Sequence, residues 1–421
     1  GAEKYVGGLI GNLQALHSIE LNNVNVKAPV RGGQDVGGLV GHACVAHATV
    51  NGALVSSVVS GSVSVGGIFG YLGYPMPGAK ITFDCESRPV RYVVKSSADA
   101  EVKGDTYVGG MIGYYDASYG EMNIKGQVEI AVNVKGGSNV GGAFGYAAEL
   151  LNFNPYKINF SSTTMRVEAS DSNAGGVVGL AHHASLDGDN RFDPGFKLPN
   201  IPACFSGVVT AAKNAGGIAG KLEAVCAISG LASAATVTAT DSDAGGIAGW
   251  LDYNVNNCVN YGRVDANQSA GGIYGATAKE DKITILKCAN YGDIHGNSNA
   301  GGIAGYTKMA KNPRFSISTC YNSGNIRSVN AGGIAGFVGC DDTGSKNQEF
   351  DIKYCANRGI VEGMGGSNGY SAGIVAMMDH RHGYVSQCWN EGEISGPAQK
   401  AVAGIVAHMG DGGGSGLHYN Y

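Results

Sequence analysis

Eight residues constrain this chain more than any other stretch: Asn299-Ala300-Gly301-Gly302-Ile303-Ala304-Gly305-Tyr306. Versions of them recur from one end to the other. Glycine pairs open copies at Gly7, Gly37, Gly66, Gly109, Gly141, Gly175, Gly216, Gly245, Gly271, Gly301 and Gly332, and Ala372-Gly373 and Ala403-Gly404 stand in for the pair in two weaker copies. The thirteen copies lie 26 to 43 residues apart, mostly near 30. A period of that size means stacked units, none able to bury its apolar face alone. The residue after the pair is apolar in every copy, from Leu9 and Leu39 to Ile374 and Ile405. Each copy therefore offers one inward knob, and the glycines allow a left-handed bend or a close backbone approach. A nucleotide-binding loop is the rival reading. It fails on spacing, because GGxxG is not GxGxxG and no helical pattern follows.

The second half carries another marker. Cys258-Val-Asn260-Tyr-Gly262, Cys288-Ala-Asn290-Tyr-Gly292, Cys320-Tyr-Asn322-Ser-Gly324, Cys355-Ala-Asn357-Arg-Gly359 and Cys388-Trp-Asn390-Glu-Gly392 share one template. Cys226 to Gly230 fits it with Ile228 in the Asn place. Spacing of two puts Cys and Asn on one strand face. Stacking then predicts a ladder of Asn260, Asn290, Asn322, Asn357 and Asn390, amide bonded to amide. Thiols stacked in parallel all point the same way, which is poor disulfide geometry, so the six cysteines are expected to be reduced.

The expected fold is all-β: a single-chain parallel β-solenoid of about thirteen coils, right-handed by the usual rule for parallel crossovers. It would run unbroken over 1–421. Residues 1–200 form a long-strand region without the Cys-Asn template, and 201–421 carry that template. Alternation at Val128, Ile130, Val132 and Val134 is a half-buried strand signature, and Val90 to Lys95 and Asn23 to Val26 read similarly. The long intervals 71–107, 180–214 and 337–370 are the expected excursions, where binding usually sits.

Composition narrows function mainly by exclusion. Glycine is 70 of 421 residues without a collagen period, and 43% hydrophobic content argues against disorder. With a net charge of −5 and no basic stripe, a nucleic-acid partner is not expected. No apolar run reaches a membrane-spanning length. The chain opens on Gly1 without a signal peptide, so its start is expected to have been removed, and it stops at Tyr421 inside a repeat template.

The position after the motif is aromatic in six copies: Tyr71, Tyr114, Tyr146, Trp250, Tyr306 and Phe337. These six could form a strip for stacking on sugar rings, and corner packing is the plainer alternative. Asp187, Asp189 and Asp193 resemble part of a calcium loop, but Arg191 sits where a ligand would help, and a solvated turn competes. Asp379-His380-Arg381-His382 and His182-His183 lack a third ligand. Acids are scattered at turns, and the common peptidase, esterase and phosphate-loop motifs are absent. No catalytic residue and no cofactor are expected.

The copies Val36-Gly-Gly-Leu-Val-Gly41 and Ala331-Gly-Gly-Ile-Ala-Gly336, with the Cys-x-Asn-x-Gly segments between such copies, resemble the GLUG motif. That repeat occurs in bacterial surface proteins, notably Bacteroides-type adhesins, and beside the peptidase domain of streptococcal immunoglobulin A metallopeptidases. The peptidase motif is missing here, so no protease activity is implied. The resemblance implies an exported protein at the outer-membrane surface or outside the cell, held to a membrane only through an anchor elsewhere. The leading expectation is a non-catalytic adhesin or binding rod for a glycan or host surface protein. A carbohydrate-active enzyme on a β-helix, a polysaccharide lyase or glycoside hydrolase, is the alternative.

Overall fold

The computed structural model describes residues 3–86, 88–93, 101–161, 164–190, 201–278, 282–309, 314–340, 349–365, 369–379, 383–397, 401–410 and 416–418. Two compact units emerge. The first is Gly1–Gly188 with Cys204–Ala212 and Ile218–Lys221; the second is Asp189–Ala203, Lys213–Gly217 and Leu222–Tyr421. Both are parallel β-solenoids, as expected from the repeat. Among the described residues there is no α-helix, and the one helical piece is a 3-10 turn at Pro155–Lys157.

The glycine pairs set the register. In the first unit Gly7, Gly37, Gly66, Gly109, Gly141 and Gly175 lie opposite one another on successive parallel strands. In the second, Gly216, Gly245, Gly271, Gly301, Gly332, Ala372 and Ala403 do the same. The need is for close approach. A Cβ on Gly301 would come within 2.1 Å of the Ala304 carbonyl oxygen, and one on Gly302 within 2.3 Å of both the Gly333 oxygen and the Asn322 side chain. Left-handed backbone falls elsewhere. In the first unit it includes a recurring corner at Tyr5, Asp35, Ser64, Tyr107, Asn139 and Asn173, each just before the apolar residue or alanine that precedes a pair.

The coils of the first unit are built from long strands, such as Ile10–Val26 and Val40–Val55. Val128, Ile130, Val132 and Val134 are all buried, as their alternation predicts. The 71–107 interval does not simply project. Its strand Ala79–Asp84 pairs with Val40–Val55 on one side and Gly120–Lys125 on the other. Ile81 and Phe83 are thereby sealed in the core.

One template position needs correction. Ile228 lies opposite Val255, so Cys226 does not belong to the cysteine column. Val259 pairs with Ala232 and Asn260 with Ser233, which puts Leu231 opposite Cys258 and Ser233 in the Asn place. Spacing alone matched Cys226, but the chain turns between it and the strand Ala232–Ser233.

Candidate functional site

The second unit's template builds two columns. Asn260 Nδ2 donates to Asn290 Oδ1 at 2.8 Å, and the pattern repeats from Asn290 to Asn322 (2.8 Å), Asn322 to Asn357 (2.7 Å) and Asn357 to Asn390 (2.7 Å). Each Nδ2 also donates to the carbonyl two residues on, at 2.7 to 2.9 Å; the glycine there is required by close approach, since a Cβ on Gly292 would come within 1.9 Å of the Gly262 oxygen. Asn260, Asn290, Asn322 and Asn357 are fully buried, so satisfaction of both amide ends is obligatory. Alongside runs the thiol column. Cys288, Cys320, Cys355 and Cys388 are free and buried, and their Sγ atoms donate to carbonyls two residues back at 3.2 to 3.4 Å. Burial pushes the Cys320 and Cys355 thiols well above their ordinary value. These are inert packing groups, since the nucleophile is the thiolate.

The aromatic positions fall on the outer face of the sheet that follows each glycine pair. In the first unit, His42, Tyr71, Tyr114 and Tyr146 occupy one register column. His42 stacks on Tyr71 with centroids 4.5 Å apart and planes 5° from parallel; Tyr71 and Tyr114 stack at 5.4 Å, and Tyr114 and Tyr146 lie at 4.6 Å. Tyr5 packs on His42, and Tyr107 meets Tyr114 edge-on and Tyr146 at a tilt. A buried carboxylate anchors the end of the column: Asp35 Oδ2 lies 2.9 Å from His42 Nδ1. Burial, with the Asp116 charge behind it, pushes the Tyr71 hydroxyl up to about 12. Tyr71 also explains Gly73, where a Cβ would come within 2.7 Å of the Tyr71 hydroxyl. The ring therefore lies down over its strand.

In the second unit the corresponding column is Trp250, Ala276, Tyr306, Phe337, Met377 and His408. Tyr306 and Phe337 stack at 4.8 Å, but Ala276 separates Trp250 from them. Phe337 lies over Gly339 as Tyr71 lies over Gly73. Trp250 Nε1 donates to Asp252 Oδ1 at 2.8 Å.

The sequence reading missed His42, which holds the aligned position with an imidazole, and Tyr5 and Tyr107, which stand two residues before a glycine pair rather than after the motif. It also missed a further column in the second unit, where Tyr261 stacks on Tyr291 at 5.8 Å and Tyr291 meets Tyr321 at 5.7 Å. The repeated Asn-Tyr-Gly of two templates was the available signal.

The metal candidates are only partly described. Asp187 closes the strand Ser185–Asp187, and Asp189 takes a left-handed φ of 59°. Asp193, like His380 and His382, lies outside the described residues. His182 and His183 meet edge to face at 4.2 Å. Among the described residues no three His, Cys, Asp or Glu side chains gather as metal ligands, and no helix is long and apolar enough to cross a membrane. No family model, curated protein or solved structure matches the chain.

Proposed function

We propose that this protein is a non-catalytic binding protein of the bacterial cell surface, an adhesin of the GLUG-repeat kind, exported and acting outside the cell. The observation that carries the reading is the column His42, Tyr71, Tyr114 and Tyr146, whose rings are half-buried and lie along the coil stack. Such rings present apolar faces beside wet hydroxyls, the chemistry that receives the C–H face and hydroxyls of a sugar. Glycan is the ligand class this favours over a host protein. The test is a glycan and host-matrix array on the intact chain, repeated with Tyr114→Ala and Tyr306→Ala. Each substitution is expected to weaken glycan binding about tenfold. Unchanged binding in both would remove the column from the account.

One observation favours an enzyme instead. Glu121 and Glu149 line the same cleft, and a glycosidase needs two carboxyl groups across a bond. Against it, the Glu121 side chain is 67% exposed and already engaged in an ion pair with Lys80. Sugar release measured on the same array separates the two readings.

A further inference from the structure

The cleft has an origin in the pairing of the first unit. Around it the sheet is continuous: Ile112–Asp116 pairs with Phe144–Ala148, and Val128–Ala131 pairs with Ile158–Phe160. Between these, Gly120–Lys125 pairs, among the described residues, only with Ala79–Asp84. The next coil should cover its other edge but does not. Residues 150–154 are drawn toward Ser185–Asp187 instead: Phe153 N donates to Ser185 O (3.0 Å), Asp187 N to Phe153 O (2.9 Å), and Asn152 N to Ser185 Oγ (2.9 Å). A window is left, a cleft of about 670 Å³.

The direction of the backbone groups follows from the ladder. Lys125 O accepts from Cys85 N at 2.9 Å, and Glu121 O accepts from the Tyr74 hydroxyl at 2.9 Å. Residues 121, 123 and 125 thus turn toward Ala79–Asp84. In a parallel strand, alternate residues turn the opposite way, so the amide groups of Met122 and Ile124 face the window. Unpaired groups on a strand edge are a template for another strand. The surroundings suit one. Tyr119 and Leu151, 57% and 65% exposed, supply apolar surface, and against Lys157 the lining sets two acids, Glu121 and Glu149.

We propose that this window binds an extended peptide of a partner protein, which adds a strand beside Gly120–Lys125, with apolar residues on Tyr119 and Leu151 and a basic residue toward Glu149. Strand addition draws affinity from main-chain hydrogen bonds and specificity from alternate side chains. The cleft volume falls in the ~300–1,000 Å³ range of small-ligand sites, so the bound segment is short. The proposal does not rest on the aromatic column and stands if that column binds nothing.

The test uses a displayed random-heptapeptide library selected on the full chain, followed by affinity measurement of the best synthetic peptide. Peptides alternating apolar and basic residues should be enriched. Met122→Pro removes one amide donor at an edge where proline is tolerated, and is expected to weaken binding at least tenfold while Tyr114→Ala leaves it unchanged. Because Met122→Pro could disturb folding, the peptide is also N-methylated one residue at a time. Methylation at alternate positions should abolish binding, and at the intervening positions should change it less than threefold. No enrichment, equal sensitivity at every methylated position, or loss of binding with Tyr114→Ala but not Met122→Pro would each overturn the proposal.

Discussion

The two units solve one packing problem with opposite chemistry. In both, the second glycine of most copies lies against a side chain from its own coil. In the first unit that side chain is apolar: Val26 under Gly8, Val55 under Gly38, Tyr92 under Gly67, Ile130 under Gly110 and Phe160 under Gly142. In the second it is polar: Ser233 under Gly217, then Asn260, Asn290, Asn322, Asn357 and Asn390 under Gly246, Gly272, Gly302, Gly333 and Gly373. An apolar column tolerates varied shapes, and its five members differ in size. An amide column must be uniform, because each member completes its neighbour's hydrogen bonds, and leaving a buried amide unsatisfied costs about 1–3 kcal/mol. The difference teaches that the glycine pair specifies the backbone approach, while the facing residue specifies how strictly successive coils must agree.

The largest effect should come from the glycine itself. Gly302→Ala would drive its Cβ into the Gly333 carbonyl and Asn322 amide, so a loss of more than about 4 kcal/mol, or no folded protein, is expected. Gly404→Ala meets nothing within 4 Å and should leave the denaturation midpoint unchanged. Equal tolerance of both would break the close-approach account.

Next comes the facing residue. Asn322→Val leaves one Nδ2 hydrogen of Asn290 without an acceptor and takes from Asn357 Oδ1 its amide donor in a sealed core, for a cost of roughly 3 kcal/mol. Ile130→Val in the first unit removes one methylene and should cost roughly 1 kcal/mol. Urea unfolding of the two variants checks the contrast, and similar losses would mean the amide column is ordinary packing.

The smallest effect is a gain. Asp243 shares a column with Asn214, Ser269, Asn299 and Asn330, and burial pushes its carboxyl up despite hydrogen bonds from Ser242 and Ser269. A raised value means the folded state holds the proton more tightly, so the charged form costs stability at neutral pH and that cost fades as pH falls through the folded value. Asp243→Asn is expected to raise stability by roughly 1 kcal/mol at pH 7, with the advantage shrinking in acid. Melting curves at neutral and acidic pH decide it.

The stacking was legible because glycine pairs report a steric requirement that glycine meets in eleven copies and alanine stands in for only at Ala372 and Ala403. The Asn positions were legible for a related reason: a buried amide ladder cannot vary. Where either constraint loosened, the sequence misled. Ser233 begins the polar column with a hydroxyl and so escaped the Asn template, while Cys226 and Ile228 matched it by spacing and lie elsewhere. The aromatic column was half legible, since His42 fills a place where only aromatic carbocycles and indole were sought. The window beside Gly120–Lys125 was not legible at all. It arises from a missing pairing, set by where residues 150–154 find their partners, and no residue type marks it.

The asparagine column has a direction. Each amide from Asn260 to Asn357 donates a hydrogen bond forward, toward the coil later in the chain, so the small dipoles align head to tail and reinforce one another. A coil arriving one residue out of step would turn its amide outward and find no donor waiting. The column therefore acts as a proofreading rail: each completed coil displays the hydrogen that only a correctly phased successor can accept.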